Sequence, residues 1–334
     1  MRVDAGRLPA DAAAAALFGQ VLLGGPSATL DPRRLDSQQE GLALGAVWED
    51  KTLRADLGTT PLGFLVTNWV GGVRWAPELP DIDVSLALAR RALTSSVLSY
   101  AGRRDPLTGQ AWGGVTDNGL TAQVGRYRRT YSLAASAHLS HLDGKDVPGN
   151  SLATLRLAGD RQWWASGSLQ AFVGATLNLW HYQRNLLQYS FGHGGYYSPQ
   201  SYLNVGVPIE LLGERGEWSF RLRVTPNYSR SRSDDADFYP GHPLLQQAAL
   251  IAAPAAGYAR PVYAGGSSSG TGVSFYAAFE RRVAPTVVLG AALDIDRSDY
   301  YHPTGLTLYL RHLIGARPIP VAAPPRPLAP YSDF

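Results

Sequence analysis

Residues 168–182 alternate with a period of two along most of their length. Leu169, Ala171, Val173, Ala175, Leu177 and Leu179 fall on one side, and Ser168, Gln170, Thr176, Asn178, Trp180 and Tyr182 on the other. Successive side chains of a strand point to opposite sheet faces, so this stretch predicts a strand with one apolar face and one polar face carrying aromatics. Residues 202–211 repeat the pattern, with Leu203, Val205, Val207, Ile209 and Leu211 set against Tyr202, Asn204 and Glu210. A soluble sheet would alternate in the same way, so the pattern by itself leaves the solvent open.

The connections decide that point. About thirteen such segments run through the chain, most of them about 9–11 residues long, the length a tilted strand needs to cross a bilayer. Short connections are expected at 48–51, 77–80, 126–130, 212–216 and 283–285, and long ones between them at 58–68, 100–118, 184–200 and 231–270. Short turns on one side and long loops on the other is the layout of an outer-membrane barrel. The composition agrees: 36 Gly, 23 Pro and 17 Tyr with only 17% charged residues describe strands and turns rather than helices. Trp48, Trp69, Trp75, Tyr127, Tyr131, Trp163, Trp164 and Trp218 cluster at strand ends, as interfacial girdles do. No run approaches the roughly 18 apolar residues of a membrane helix.

The expected fold is all-β: an antiparallel outer-membrane β-barrel lacking its first strands, with a short N-terminal helix. Residues 1–37 are expected to form that helix, over Pro9–Leu22, and a loop; residues 38–314 the barrel; and residues 315–334 a proline-rich tail. Strand parity is the reason for the missing strands. The first segment ends in a short turn and so runs toward the periplasm, whereas such barrels start and end on that side with an even strand number. No signal peptide is evident, so an exported form would carry one upstream.

Candidate chemistry is sparse. A net charge of +3 with no basic block speaks against nucleic acid, and the absence of cysteine excludes disulfides and thiolate metal sites. Asp294-Ile295-Asp296-Arg297-Ser298-Asp299 lacks the glycine and glutamate of a calcium loop, and an acidic pore wall is the simpler reading. No metal, cofactor or catalytic group is expected. The polar face offers more: Tyr127, Asn178, Trp180, Tyr182, Tyr202, Asn204, Arg221, Arg223, Tyr276, Glu280, Asp294 and Tyr309 are the expected pore-lining contacts. Aromatic rings stack on the apolar faces of sugars, and amides and carboxylates exchange hydrogen bonds with hydroxyls. This pattern alone leaves a polysaccharide conduit and a general diffusion porin equally open, with a lipid- or glycan-modifying barrel enzyme as the less favoured third reading.

Several ordered motifs then resemble the C-terminal barrel of the cellulose synthase operon protein C family. They include Asp56-Leu57-Gly58-Thr59-Thr60-Pro61-Leu62-Gly63-Phe64, Arg104-Asp105-Pro106-Leu107-Thr108-Gly109, Trp112-Gly113-Gly114-Val115 and Trp180-His181-Tyr182. The most specific is Gly192-His193-Gly194-Gly195-Tyr196-Tyr197-Ser198-Pro199-Gln200. The resemblance implies a non-enzymatic outer-membrane pore that exports a β-1,4-glucan, with the cellulose chain and outer-membrane lipid as partners. It also implies an upstream periplasmic tetratricopeptide-repeat region and an inner-membrane cellulose synthase complex. On that reading Trp180, Tyr182 and Tyr202 stack on sugars. Phe191, Gly192, His193, Gly194, Gly195, Tyr196 and Tyr197 belong to an extracellular gate or exit loop.

Overall fold

The computed structural model describes residues 2–4, 38–105, 108–254, 258–297, 304–312, 324–325 and 327. The expected helix over Pro9–Leu22 and most of the expected proline-rich tail lie outside them. Two short strands, β1 (Arg2–Asp4) and β2 (Gln38–Glu40), pair with each other. The rest is dominated by one antiparallel sheet. Its strands begin with β3 (Gly45–Glu49), β4 (Leu53–Thr59), β5 (Trp69–Trp75), β6 (Asp83–Ala92), β7 (Arg103–Arg104), β8 (Ala111–Tyr127) and β9 (Tyr131–Lys145). They continue with β10 (Val147–Ser166), β11 (Leu169–Tyr182), β12 (Ser201–Gly206), β13 (Ile209–Arg215) and β14 (Trp218–Ser233). A small hairpin of β15 (Ala236–Asp237) and β16 (Val262–Tyr263) intervenes before β17 (Gly266–Ala284), β18 (Val287–Arg297) and β19 (Thr304–His312).

Each long strand pairs with its chain neighbours, so the sheet is an up-and-down meander running from β3 to β19. Among the described residues β3 and β19 do not pair with each other. Strands β12 and β13 both lie between β11 and β14, and so act as one strand broken at Val207-Pro208. Pro208 has no N–H to give the ladder. The break is bridged by Gly174 N–H donating to the Pro208 carbonyl at 2.9 Å and Val207 N–H donating to the Pro226 carbonyl at 3.0 Å.

Several strands are much longer than the expected 9–11 residues: β8 has 17 residues, β10 has 20 and β17 has 19. The long connection expected at 231–270 shrinks accordingly to 234–265, and the one expected at 100–118 lies instead at 93–110. Gly266-Ser267-Ser268-Ser269-Gly270 reads as a turn by composition, yet it pairs residue by residue with Ser229–Ser233. A hydrogen-bond ladder, once started, continues through residues with no apolar alternation. The alternation of turns is present. Short turns join β3–β4, β5–β6, β8–β9, β10–β11, β13–β14 and β17–β18, and the opposite end carries the long connections. One connection there is tight instead, the β9–β10 turn at Asp146, which holds a left-handed φ of 51°.

The two faces differ sharply. In register across β6, β8 and β9 lie Leu88, Leu120 and Leu139, which are 47–67% exposed. Across β10, β11, β12 and β14 lie Leu157, Leu177, Val205 and Tyr228. A soluble monomer rarely exposes contiguous apolar area beyond a few hundred Å², so this face requires lipid. Trp48, Trp75, Trp163 and Trp218 stand exposed beside the short turns, forming an aromatic rim. On β14 the apolar stripe runs from Trp218 to Tyr228. Ten steps of about 3.4 Å, tilted by about 40°, give a height of roughly 26 Å, close to the apolar band of a membrane barrel.

The opposite face carries Asp56, Arg91, Asp117 and His138 on one part of the sheet. Arg91 holds Asp56 through two bonds of 2.7 and 2.8 Å, and His138 reaches Asp117 at 3.1 Å. These strands form the wall of an outer-membrane β-barrel, with the apolar face outward and the polar face inward. Val224 lies midway along the stripe on β14 and is 39% exposed. Val224→Arg is expected to destabilise the folded protein in a bilayer by about 2–4 kcal/mol, measured by equilibrium unfolding in lipid vesicles, whereas Thr225→Arg on the inner face costs far less.

Candidate functional site

The inner face presents two features, a cleft on the wall and a cap of loops at the long-loop end. The cleft, of about 490 Å³, is lined by Asn178 and Trp180 from β11, Tyr202 and Asn204 from β12, Arg223 from β14, Tyr276 from β17 and Asp294 from β18. Antiparallel register brings these side chains together. Trp180 stands opposite Tyr202, Asn178 opposite Asn204, and Tyr276 between Arg223 and Asp294. The Trp180 and Tyr202 rings stack with centroids 4.5 Å apart and planes 27° apart. Tyr197 meets Tyr202 edge-on at 6.1 Å.

Below this pair runs a ladder of neutral amides. Asn178 Nδ2 donates to Asn204 Oδ1 at 3.2 Å, and Asn204 Nδ2 donates to Asn227 Oδ1 at 3.2 Å. Each amide keeps further donor and acceptor positions. The adjacent charges are tied to one another. Arg221 binds Glu210 Oε2 through Nε and a terminal nitrogen at 2.9 and 2.7 Å, and Arg223 approaches the same oxygen at 3.7 Å. The Arg221 guanidinium also lies 5.7 Å from the centre of the Tyr276 ring. Arg156 and Thr176 line the same cleft. Their signal was in the sequence, because Thr176 shares the period-two face of Asn178 and Arg156 pairs with Asn178 across β10.

Four expected contacts lie elsewhere. Tyr127 is 55% exposed beside the β8–β9 short turn, with its ring over Gly125 and away from the cleft. Tyr309 and Glu280 are 8% and 7% exposed: the Tyr309 hydroxyl donates to Glu280 Oε1 at 2.7 Å and Arg311 donates to Oε2 at 2.9 Å. They clamp β17 to β19 from within the wall. Tyr182, although on the same face as Trp180, is 8% exposed and packs 6.0 Å from the Tyr196 ring. It belongs to the cap.

The cap is a second hydrophobic core built from loops. Leu142, Leu152 and Tyr182 from the strands pack with Leu98, Trp112, Leu186, Phe191, Tyr196, Phe238 and Tyr239. Leu152 pairs with Tyr182 and so shares the inner face, which means the loops fold inward over that face. A short buried helix, Val97–Ala101, enters the cap through a capping box in which the Ser96 and Ser99 hydroxyls each accept the other's backbone N–H. A longer helix, Pro243–Ala252, was not expected within 231–270. Its signal is Pro243 at the first turn followed by Leu-Leu-Gln-Gln-Ala-Ala-Leu.

The glycine-rich loop threads the centre of this core. Gly192 has a φ of 98°, and a Cβ there would collide with the Pro240 carbonyl. His193 is fully buried and is held by distant partners. Its Nε2–H donates to the Asp237 carbonyl at 2.9 Å, and its own carbonyl accepts from Trp112 Nε1 at 3.0 Å. Phe191 packs edge-on to Trp112 at 5.6 Å, and Asn150 Nδ2 donates to the Tyr196 hydroxyl at 3.0 Å. Burial raises the Tyr196 phenol well above its usual range. Among the described residues no group of three or more His, Asp or Glu side chains converges as a metal site would require.

The fold and site thus define a class: an outer-membrane β-barrel wall with a polar, aromatic inner cleft and one end covered by packed loops. The family model described as cellulose synthase operon protein C C-terminus matches residues 1–315, and the chain belongs to that family. It is 34% identical over 299 residues to the cellulose synthase operon protein C of Salmonella typhimurium, covering 88% of this chain and 25% of that protein. It is 32% identical over 311 residues to the corresponding Xanthomonas axonopodis protein, covering 90% of this chain and 21% of that one. The chain therefore spans about a quarter of the length of these curated relatives. A solved structure titled bacterial polysaccharide outer membrane secretin aligns with a TM-score of 0.49 at 13% identity, over 80% of this chain and 76% of that one.

Burial holds His193 neutral by lowering its pKa from 6.5 to about 4. Because the folded value lies below the unfolded one, the cap is fully stable above about pH 6.5 and loses stability as pH falls from there toward 4. Amide exchange of residues 186–197, corrected for intrinsic rates, is expected to accelerate across that window. His193→Gln, which retains a donor for Asp237, should flatten the dependence.

Proposed function

We propose that this chain forms the outer-membrane pore through which a β-1,4-glucan leaves the cell during cellulose or biofilm-matrix biosynthesis. The observation that carries the reading is the stacked Trp180–Tyr202 pair above the Asn178–Asn204–Asn227 ladder on the inner face. The outer faces of these rings suit the flat, apolar faces of an equatorially substituted sugar. The amides supply donors and acceptors to hydroxyls with no fixed charge, so a chain is guided without being held. Arg221 and Arg223 alongside are engaged by Glu210, which weakens them as anchors on the path.

On this reading residues 38–314 are the barrel wall, and the loop containing Phe191, Gly192, His193, Gly194, Gly195, Tyr196 and Tyr197 gates the exit. The partners are the cellulose chain, outer-membrane lipid, an upstream tetratricopeptide-repeat region and an inner-membrane synthase complex. Family membership supports the assignment of substrate and partners. The residues act through contact rather than catalysis. A general diffusion porin would share the wall and lack discrimination between glucans.

Planar-bilayer conductance separates the two. Channels should be blocked preferentially by cello-oligosaccharides over malto-oligosaccharides. Trp180→Ala is expected to weaken the block roughly fivefold, the equivalent of about 1 kcal/mol for one lost ring. Equal block by both sugars, unaffected by the substitution, would establish a general porin instead.

A further inference from the structure

On the outer face the apolar stripe ends abruptly at the long-loop side. Beyond Tyr228, β14 places Arg230 and Arg232 outward, both exposed. Register extends this into a row: Ser201 stands opposite Arg232, and Arg232 opposite Ser267. One step nearer the bilayer centre lie Leu179, Leu203, Arg230 and Ser269 in line across β11, β12, β14 and β17. A groove of about 370 Å³ follows this boundary, bounded by Leu179, His181, Ser201, Leu203, Arg230 and Arg232. Leu179 and Leu203 line its side toward the bilayer centre and continue the lipid-facing surface.

The charges at this groove are only weakly engaged by the protein. Among the described residues Arg230 makes no ion pair. Arg232 reaches Asp234 at 3.2 Å, with the two side chains 69% and 55% exposed, a pair of small worth in water. The nearby Asp235 is engaged by Arg260 at 2.9 Å and by the Gly265 N–H at 2.8 Å. His181 donates Nδ1–H to the Gln200 carbonyl at 2.5 Å. The height of the stripe, roughly 26 Å from Trp218 to Tyr228, puts these arginines at the headgroup level of the leaflet on the long-loop side.

We infer that this groove binds the phosphate of an acylated, phosphorylated glycolipid of the outer leaflet. Two guanidiniums above a leucine floor match an anionic headgroup joined to acyl chains. Arginine binds phosphate through paired N–H donors, and neighbouring serines add hydroxyl donors. Basic residues flanking a hydrocarbon-facing surface attract anionic lipid headgroups. At the opposite rim Arg281 lies 5.2 Å over the Trp218 ring, so its guanidinium is engaged by an aromatic face.

The test uses the full chain extracted from outer membranes in a maltoside detergent, with folding checked by heat-modifiable gel migration. A bisphosphorylated, acylated glucosamine disaccharide is added, and bound lipid is read by native mass spectrometry. The parent chain should retain the lipid, and the folded double variant Arg230→Ala/Arg232→Ala should retain at least tenfold less. Arg281→Ala at the opposite rim should retain it fully, and the dephosphorylated disaccharide should not be retained by any form. Inorganic phosphate at equal concentration should fail to displace the lipid. Equal retention by the double variant, an equal loss in Arg281→Ala, or equal retention of the dephosphorylated lipid would overturn the proposal. Full displacement by inorganic phosphate would reassign the groove to a free anion and equally overturn it.

Discussion

Peptide groups inside a bilayer have no water to bond, so every N–H and C=O within the hydrocarbon must find a partner in the protein. The continuous antiparallel ladder from β3 to β19 is how this chain meets that demand, and everything else follows from it. The ladder imposes period-two alternation, which in turn forces one face toward lipid and the other inward. Even Pro208, which cannot donate, is accommodated because the Gly174 N–H of β11 donates to its carbonyl and the Pro226 carbonyl of β14 accepts from the Val207 N–H beside it. The same constraint concentrates irregular backbone at the ends, where loops can pair with one another.

Those loops solve a second problem. A polar inner face open at both ends would be a water-filled hole. Here the long connections bury Trp112, Phe191, Tyr196, Phe238 and Tyr239 together over the inner face at one end. The core is joined by specific bonds, Trp112 to His193 and His193 to Asp237, which link the start of β8 to two separate connections. Such a cap is a packed core that rests on Leu142, Leu152 and Tyr182 of the wall below it. The wall is held by its ladder, while the cap is held by side-chain packing and a neutral histidine. On the proposed gating role, that division lets the seal loosen without disturbing the strands.

Much of the wall is legible in the sequence. The alternation of Leu169 to Tyr182 and Leu203 to Leu211 specifies both strand and face, and the register then assembles the Trp180–Tyr202 pair without further information. Alternation does not report depth, however. Tyr182 and Trp180 share a face, yet Tyr182 is sealed beneath loops that arrive from elsewhere in the chain. Glu280 and Tyr309 are likewise inward by parity but spent on each other. The cap was opaque because its contacts join residues far apart, His193 with Trp112 and with Asp237, through glycine-rich segments that carry no periodicity. The serine and glycine extension of β17 was opaque for a different reason: its strand character comes from the partner ladder rather than from its own side chains.

On the proposed reading one face of this sheet meets lipid and the other lines a water-filled path for a glucan. The chain contains no cysteine, so single cysteines report each face without background. Asn204→Cys and Thr176→Cys should react with a small water-soluble maleimide in intact outer membranes and be slowed by cello-oligosaccharide. Val205→Cys and Leu177→Cys, one residue away, should react only with a lipid-soluble reagent. Equal labelling of both pairs by the water-soluble reagent would contradict a membrane-spanning wall, and labelling of Asn204→Cys unaffected by the sugar would contradict a glucan path along the cleft.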